Sequence, residues 1–148
     1  MFHLEIHTDQ FPYEPEGPLD DCPGFPGSRM PGSHFAEWVK DRVESNVIRC
    51  QKIIQEDYGW GFFALVDKLN VWVAVSYFGK PEGHLAIWHI LVYHEPGCHV
   101  VQWFKRESGK RAAAYIYRKV LTLIKEDVTG DLIEADTGEE IKRPPEEQ

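Results

Sequence analysis

The seven histidines are the residues best equipped for chemistry in this chain, and His84, His89, His94 and His99 recur every five positions with Cys98 beside the last. Neutral imidazole and thiolate are common zinc donors, and His94 and Cys98 have workable spacing across a turn. Strand geometry breaks up the larger set. Side chains an odd number of residues apart on a strand point to opposite faces, so His84 and His89 do not converge. His94, Cys98 and His99, around Pro96-Gly97, remain as candidate transition-metal ligands. Against them stands the everyday role of histidine as a surface or hydrogen-bonded side chain, which is the more frequent outcome.

A second candidate is Glu56-Asp57-Tyr58-Gly59-Trp60-Gly61. Adjacent carboxylates at a strand end can serve acid–base work or hold a hard cation. Acids with glycines are also ordinary turn chemistry, and that reading is preferred. Tyr58 and Trp60 are large and amphipathic, so Glu56, Asp57, Tyr58 and Trp60 form the expected partner-binding set. Cys50 and the neighbours Cys98 and His99 offer a third chemistry, nucleophilic catalysis. Adjacency in sequence does not make a dyad, and small buried core thiols are the commoner outcome. A phosphate loop fails outright. Gly109-Lys110 is flanked by Phe104 and Arg111 where glycine and Ser or Thr belong, and Gly79-Lys80 by Ala74 and Pro81. Lys105, Arg106, Lys110 and Arg111 near the start of a helix could hold an anion, but a solvated basic helix face outweighs that reading. No catalytic residue, metal or cofactor is assigned.

The elements that would position these residues follow from periodicity. Residues 2–8 alternate as a half-buried strand. Residues 9–33 hold six prolines, which remove backbone donors and leave neither helix nor inner strand, so a long loop is expected. Ser33 reads as the N-cap of a helix over 34–45, with Phe35, Trp38, Val39 and Val43 on one side. Residues 47–55, 62–66, 71–78 and 85–93 read as strands joined by short turns, which makes an antiparallel meander. A short strand over 99–104 follows, then Ser108 capping a helix over 109–125, then an edge strand at 131–134. The fold class is therefore α+β, with residues 1–135 as one domain and 136–148 as an acidic disordered tail.

Strands 71–78 and 85–93 are apolar on both faces, unlike a sheet with one wet side. Two helices blanket one face. The other calls for the loop over residues 9–33, for which Phe11, Tyr13, Phe25 and Met30 are spaced, or a second subunit in a homodimer.

Charge and composition set the class of partner. The formal net charge is −8. It is concentrated at the flanks, with six acids against Arg29 in residues 1–33 and nine against Lys142 and Arg143 in residues 126–148. Such flanks repel phosphate, so nucleic acid is disfavoured and a basic protein partner is expected. The chain lacks an apolar run of membrane-spanning length and begins without a signal-peptide pattern. Three widely separated cysteines point to reduced thiols and a cytoplasmic location. A small, acidic, aromatic-rich α+β domain without catalytic motifs is similar to many bacterial immunity and antitoxin proteins. That resemblance of style implies a non-enzymatic inhibitor of a basic protein. The alternative is a small metal-dependent or Cys/His hydrolase-like enzyme.

Overall fold

The computed structural model describes residues 1–13, 16–18, 28–95 and 99–136 of the chain. In order along the chain these form β1 (Phe2–His7), β2 (Glu16–Pro18), β3 (Ser28–Arg29), α1 (Ser33–Val43), β4 (Arg49–Cys50) and β5 (Ile54–Glu56). They continue with β6 (Gly59–Val66), β7 (Leu69–Tyr77), β8 (Ile87–His94), α2 (His99–Asp127) and β9 (Asp131–Ala135). Seven strands make one antiparallel sheet in the order β4-β6-β7-β8-β1-β9, with β5 also paired to β6. The expected α+β class and the meander through β6, β7 and β8 hold. The meander's first connection is only Asp67-Lys68, with φ of 48° and 64°. Two left-handed residues make the primed turn whose twist matches the strands it joins.

Alternation decides which side chains meet the helices. Leu4 and Ile6 of β1, Phe62 of β6, Val71, Val73 and Val75 of β7, and Trp88, Ile90 and Val92 of β8 share one face and are fully or nearly fully buried. Both helices lie over that face. Phe35, Val39 and Val43 of α1 and Ile116, Tyr117, Val120 and Ile124 of α2 complete the same core. Each such side chain contributes about 1.5–3 kcal/mol on leaving water. At the end of α1 the ammonium of Lys119 on α2 donates to the Val43 carbonyl at 2.9 Å. A cation thus satisfies an orphan carbonyl where the helix dipole is negative.

Several expectations are corrected. Ser33 is not the N-cap. Gly32 takes that position with φ 118°, its carbonyl accepting from Ala36 N–H at 2.9 Å, and Ser33 is the first helical residue. Residues 47–55 are not one strand, because 51–53 separate β4 from β5, each of which pairs with β6. The expected strand at 99–104 belongs to α2, which runs unbroken from His99 to Asp127 and carries Ser108 in its interior rather than at a cap. Both neighbours of β8 are already β7 and β1, so no edge was open there for another strand. The helix also takes in Lys110 and Arg111 well past its start, far from any free N-terminal amide.

The loop over 9–33 is not wholly irregular, since β2 and β3 pair as a separate two-stranded ladder. Its described aromatics do not cross to the second face of the sheet. Phe11 stacks on Phe35 at 3.9 Å between ring centroids, and Tyr13 on Tyr77 at 5.6 Å. The Met30 carbonyl accepts the Trp60 indole N–H at 2.7 Å. All three seal the flank beside α1, where other rings were waiting. Residues 14–15 and 19–27 of the loop, and the acidic tail beyond Asp136, lie outside the described residues. Among the described residues, no helix is long and apolar enough to cross a membrane.

Candidate functional site

The face of the sheet turned away from the helices is the candidate site. Register places its side chains in rows running across the strands. Phe63, Trp72 and Tyr93 form an aromatic row, Phe63 opposite Trp72 and Trp72 opposite Tyr93. The next row is Gly61, Ala74, Leu91 and His3. A polar row follows, Ser76 opposite His89 and His89 opposite Glu5.

The aromatic row is built around Trp72, which is only 3% exposed although neither helix covers it. Its indole lies over Gly61, whose missing side chain makes the room. Phe63 packs against it at 4.7 Å between centroids, and Tyr58 Oη accepts its indole N–H at 3.0 Å. Tyr58, in the turn between β5 and β6, stays 41% exposed. Glu56, Asp57 and Glu95 crowd this end. Partial burial raises the Tyr58 pKa above its ordinary value, and those three carboxylates push it further, while the Trp72 hydrogen bond opposes the shift. Tyr93 is raised too, by burial first and then by Tyr58, Glu95 and Glu56.

Of the expected partner-binding set, Glu56, Asp57 and Tyr58 meet at this edge. Trp60 does not. It faces the helices, 6% exposed, with its N–H committed to Met30, so it is a core residue. Trp72 and Tyr93 stand where Trp60 was expected, and only the register of β6, β7 and β8 brings them to Tyr58. His94 faces the helices and lies beneath Gly109 of α2. Cys98 and the side chain of His99, which opens α2, lie outside the described residues, and with them the expected metal trio. Burial, then Glu44, holds the Cys50 thiol up at about 11, which leaves it protonated and inert at neutral pH.

No family model, curated protein or solved structure matches this chain.

The polar row holds a connected chain that was not anticipated. His89 Nε2 lies 3.1 Å from Glu5 Oε1, and His7 Nε2 lies 3.0 Å from Glu5 Oε2. On its other side His89 Nδ1 meets His3 Nε2 at 2.5 Å, while the Phe78 ring packs on its imidazole at 4.1 Å. The i, i+2 spacing of His3, Glu5 and His7 marks them as one face of a strand. That His89 lies opposite is set by the β1–β8 register. The chain is linear rather than convergent, and no group of three or more His, Cys, Asp or Glu side chains among the described residues surrounds one point.

Proposed function

We propose that this chain is a non-enzymatic protein-binding domain whose open sheet face takes a basic segment of a protein partner. The observation that carries the reading is the aromatic row at Phe63, Trp72 and Tyr93, left uncovered by both helices and edged by Glu56, Asp57 and Glu95. Exposed Tyr58, hydrogen-bonded to a buried Trp72, provides aromatic contact area at small entropic cost. The carboxylates steer cationic partners toward it and select against acidic ones. The net charge of −8 acts in the same direction at longer range. Occluding a basic surface in the cytoplasm, as an immunity-type inhibitor does, is the form of binding this charge pattern serves best.

Capture from a native lysate tests the reading when wild type and a Tyr58→Glu/Tyr93→Glu variant are run side by side. The wild type is expected to retain a basic protein that elutes as salt is raised, and to form a stoichiometric complex with it once purified. The variant, folded by circular dichroism, is expected to bind that protein at least tenfold more weakly. Equal retention by both proteins, or a partner indifferent to salt, would remove the open face from the function.

A further inference from the structure

A groove on the helix side of the sheet, away from the open face, stands independently of the partner site. The turn Asp67-Lys68 sets Val66 of β6 opposite Leu69 of β7, both part of the core on the helix side. Against them α2 presents Ser108, Arg111, Ala112 and Tyr115, whose spacing of three and four residues puts them along one face of the helix. Ser108 and Ala112 are too small to close the gap, and a groove of about 610 Å³ remains, within the range of small-ligand sites. Its floor, Val66, Leu69 and Ala112, is buried. Val47 and Tyr115 also line it, yet they stay 63% and 43% exposed. Single exposed hydrophobics are ordinary, whereas two that meet over a concave apolar floor mark a binding surface.

The polar groups of the groove suit a ligand with two charges. Asp67 comes from the turn and Arg111 from α2, so opposite charges enter from different elements. They do not bridge, and among the described residues no hydrogen bond or ion pair engages either side chain or the hydroxyls of Ser108 and Tyr115. A ligand of one sign is attracted by one of the two charges and repelled by the other, while a zwitterion is attracted by both. We propose that this groove binds a short apolar peptide with free ends. The Arg111 guanidinium takes the peptide carboxylate through two parallel N–H bonds, with the Ser108 and Tyr115 hydroxyls, one helical turn to either side, as further donors. Asp67 takes the terminal ammonium. The aliphatic side chains between lie against Val66, Leu69, Ala112 and Val47. A single amino acid carries both charges on one carbon, whereas about three residues separate them by roughly 10 Å and supply the apolar body that the floor calls for.

The test is calorimetric titration of trileucine with free ends into the full-length protein, with methyl and amide NMR shifts recorded alongside. One peptide per chain is expected, with shifts centred on Val47, Leu69, Ala112 and Tyr115, a readout that does not depend on any variant folding. Arg111→Gln and amidation of the peptide carboxylate should each weaken binding about fivefold or more, and amidation should cost nothing further once Arg111 is replaced. Asp67→Asn and acetylation of the peptide amine should behave as a second such pair. Asn accepts the left-handed backbone of that turn, so the fold is kept. Lys110→Gln, next along α2 and paired with Glu107, should leave the affinity unchanged. Absence of saturable uptake, shifts confined to the open sheet face, or end-blocked peptides binding as tightly as the free one would each overturn the proposal. Octanoate binding as tightly as trileucine would overturn it too, since one charge would then suffice.

Discussion

The indole of Trp72 occupies the space a side chain at Gly61 would fill, and a β-carbon there would collide with both Cζ2 of Trp72 and the Val73 carbonyl. The pair joins sequence to site. A glycine in the second row makes a flat seat, and the tryptophan from the neighbouring strand lies down on it beside Phe63 and Tyr58. Gly61→Ala should therefore cost about 1–3 kcal/mol, the usual penalty of overpacking. Urea denaturation would measure it, and tryptophan emission should shift red as the indole becomes exposed. An unchanged midpoint would mean that Trp72 does not rest there.

Gly109 gives a prediction of sign. Replacing a mid-helix glycine by alanine ordinarily stabilises by roughly 1 kcal/mol. Here α2 passes directly over His94, and a β-carbon on Gly109 would run into the imidazole ring. Gly109→Ala is expected to destabilise. Gly109→Ala/His94→Ala should recover the ordinary gain relative to His94→Ala alone, because the collision is gone. A double-mutant cycle from denaturation midpoints measures that coupling.

Much of this fold was legible, and the failures have local reasons. Alternation marked β1, apolar runs rich in β-branched residues between turns marked β7 and β8, and the stripe through Ile116, Tyr117, Val120 and Ile124 marked α2. The start of α2 was lost because Val100-Val101 favours strand locally, and only the crowded sheet, with both sides of β8 taken, decides otherwise. The site was half legible. Glu56, Asp57 and Tyr58 are contiguous and could be read as a unit. Trp60 was grouped with Tyr58 because the strand was expected to begin at residue 62, whereas β6 already begins at Gly59 and turns Trp60 toward the helices. Trp72, Tyr93 and the His3–His89 contact depend on register, which no single strand carries in its own sequence.

Stability should fall at alkaline pH in a defined order. Burial, then the nearby Glu44, raises the Cys50 thiol from 9.0 to about 11. Burial, then the Asp136 carboxylate, raises the Tyr117 phenol from 10.0 to about 12, although its hydroxyl donates to the Asp136 carbonyl at 2.6 Å. Both groups are neutral when protonated. Above its ordinary pKa the unfolded chain loses the proton that the folded chain keeps, so stability drops with rising pH. The loss should begin near pH 9 from Cys50, steepen above pH 10 from Tyr117, and level off beyond about pH 12. Denaturation midpoints from pH 8 to 12 would trace it. Tyr117→Phe should flatten the curve above pH 10, and Cys50→Ala the part just above pH 9. A wild-type curve flat over this range would contradict the burial of both groups.

The last prediction separates a basic partner from a second copy of the chain. An isologous dimer through the open face would bring the acidic edges of two copies, each with Glu56, Asp57 and Glu95, onto one interface. Like charges brought together oppose association, and they do so most strongly at low ionic strength. A basic partner meets the same edge with the opposite sign and binds best at low salt. Sedimentation at micromolar concentration and low salt should therefore give a monomer of 17.1 kDa. The Glu56→Lys/Asp57→Lys variant should stay monomeric and lose the basic partner. A wild-type dimer at low salt that dissociates in Tyr93→Glu would make the aromatic row a self-interface, and the basic partner would then need another surface.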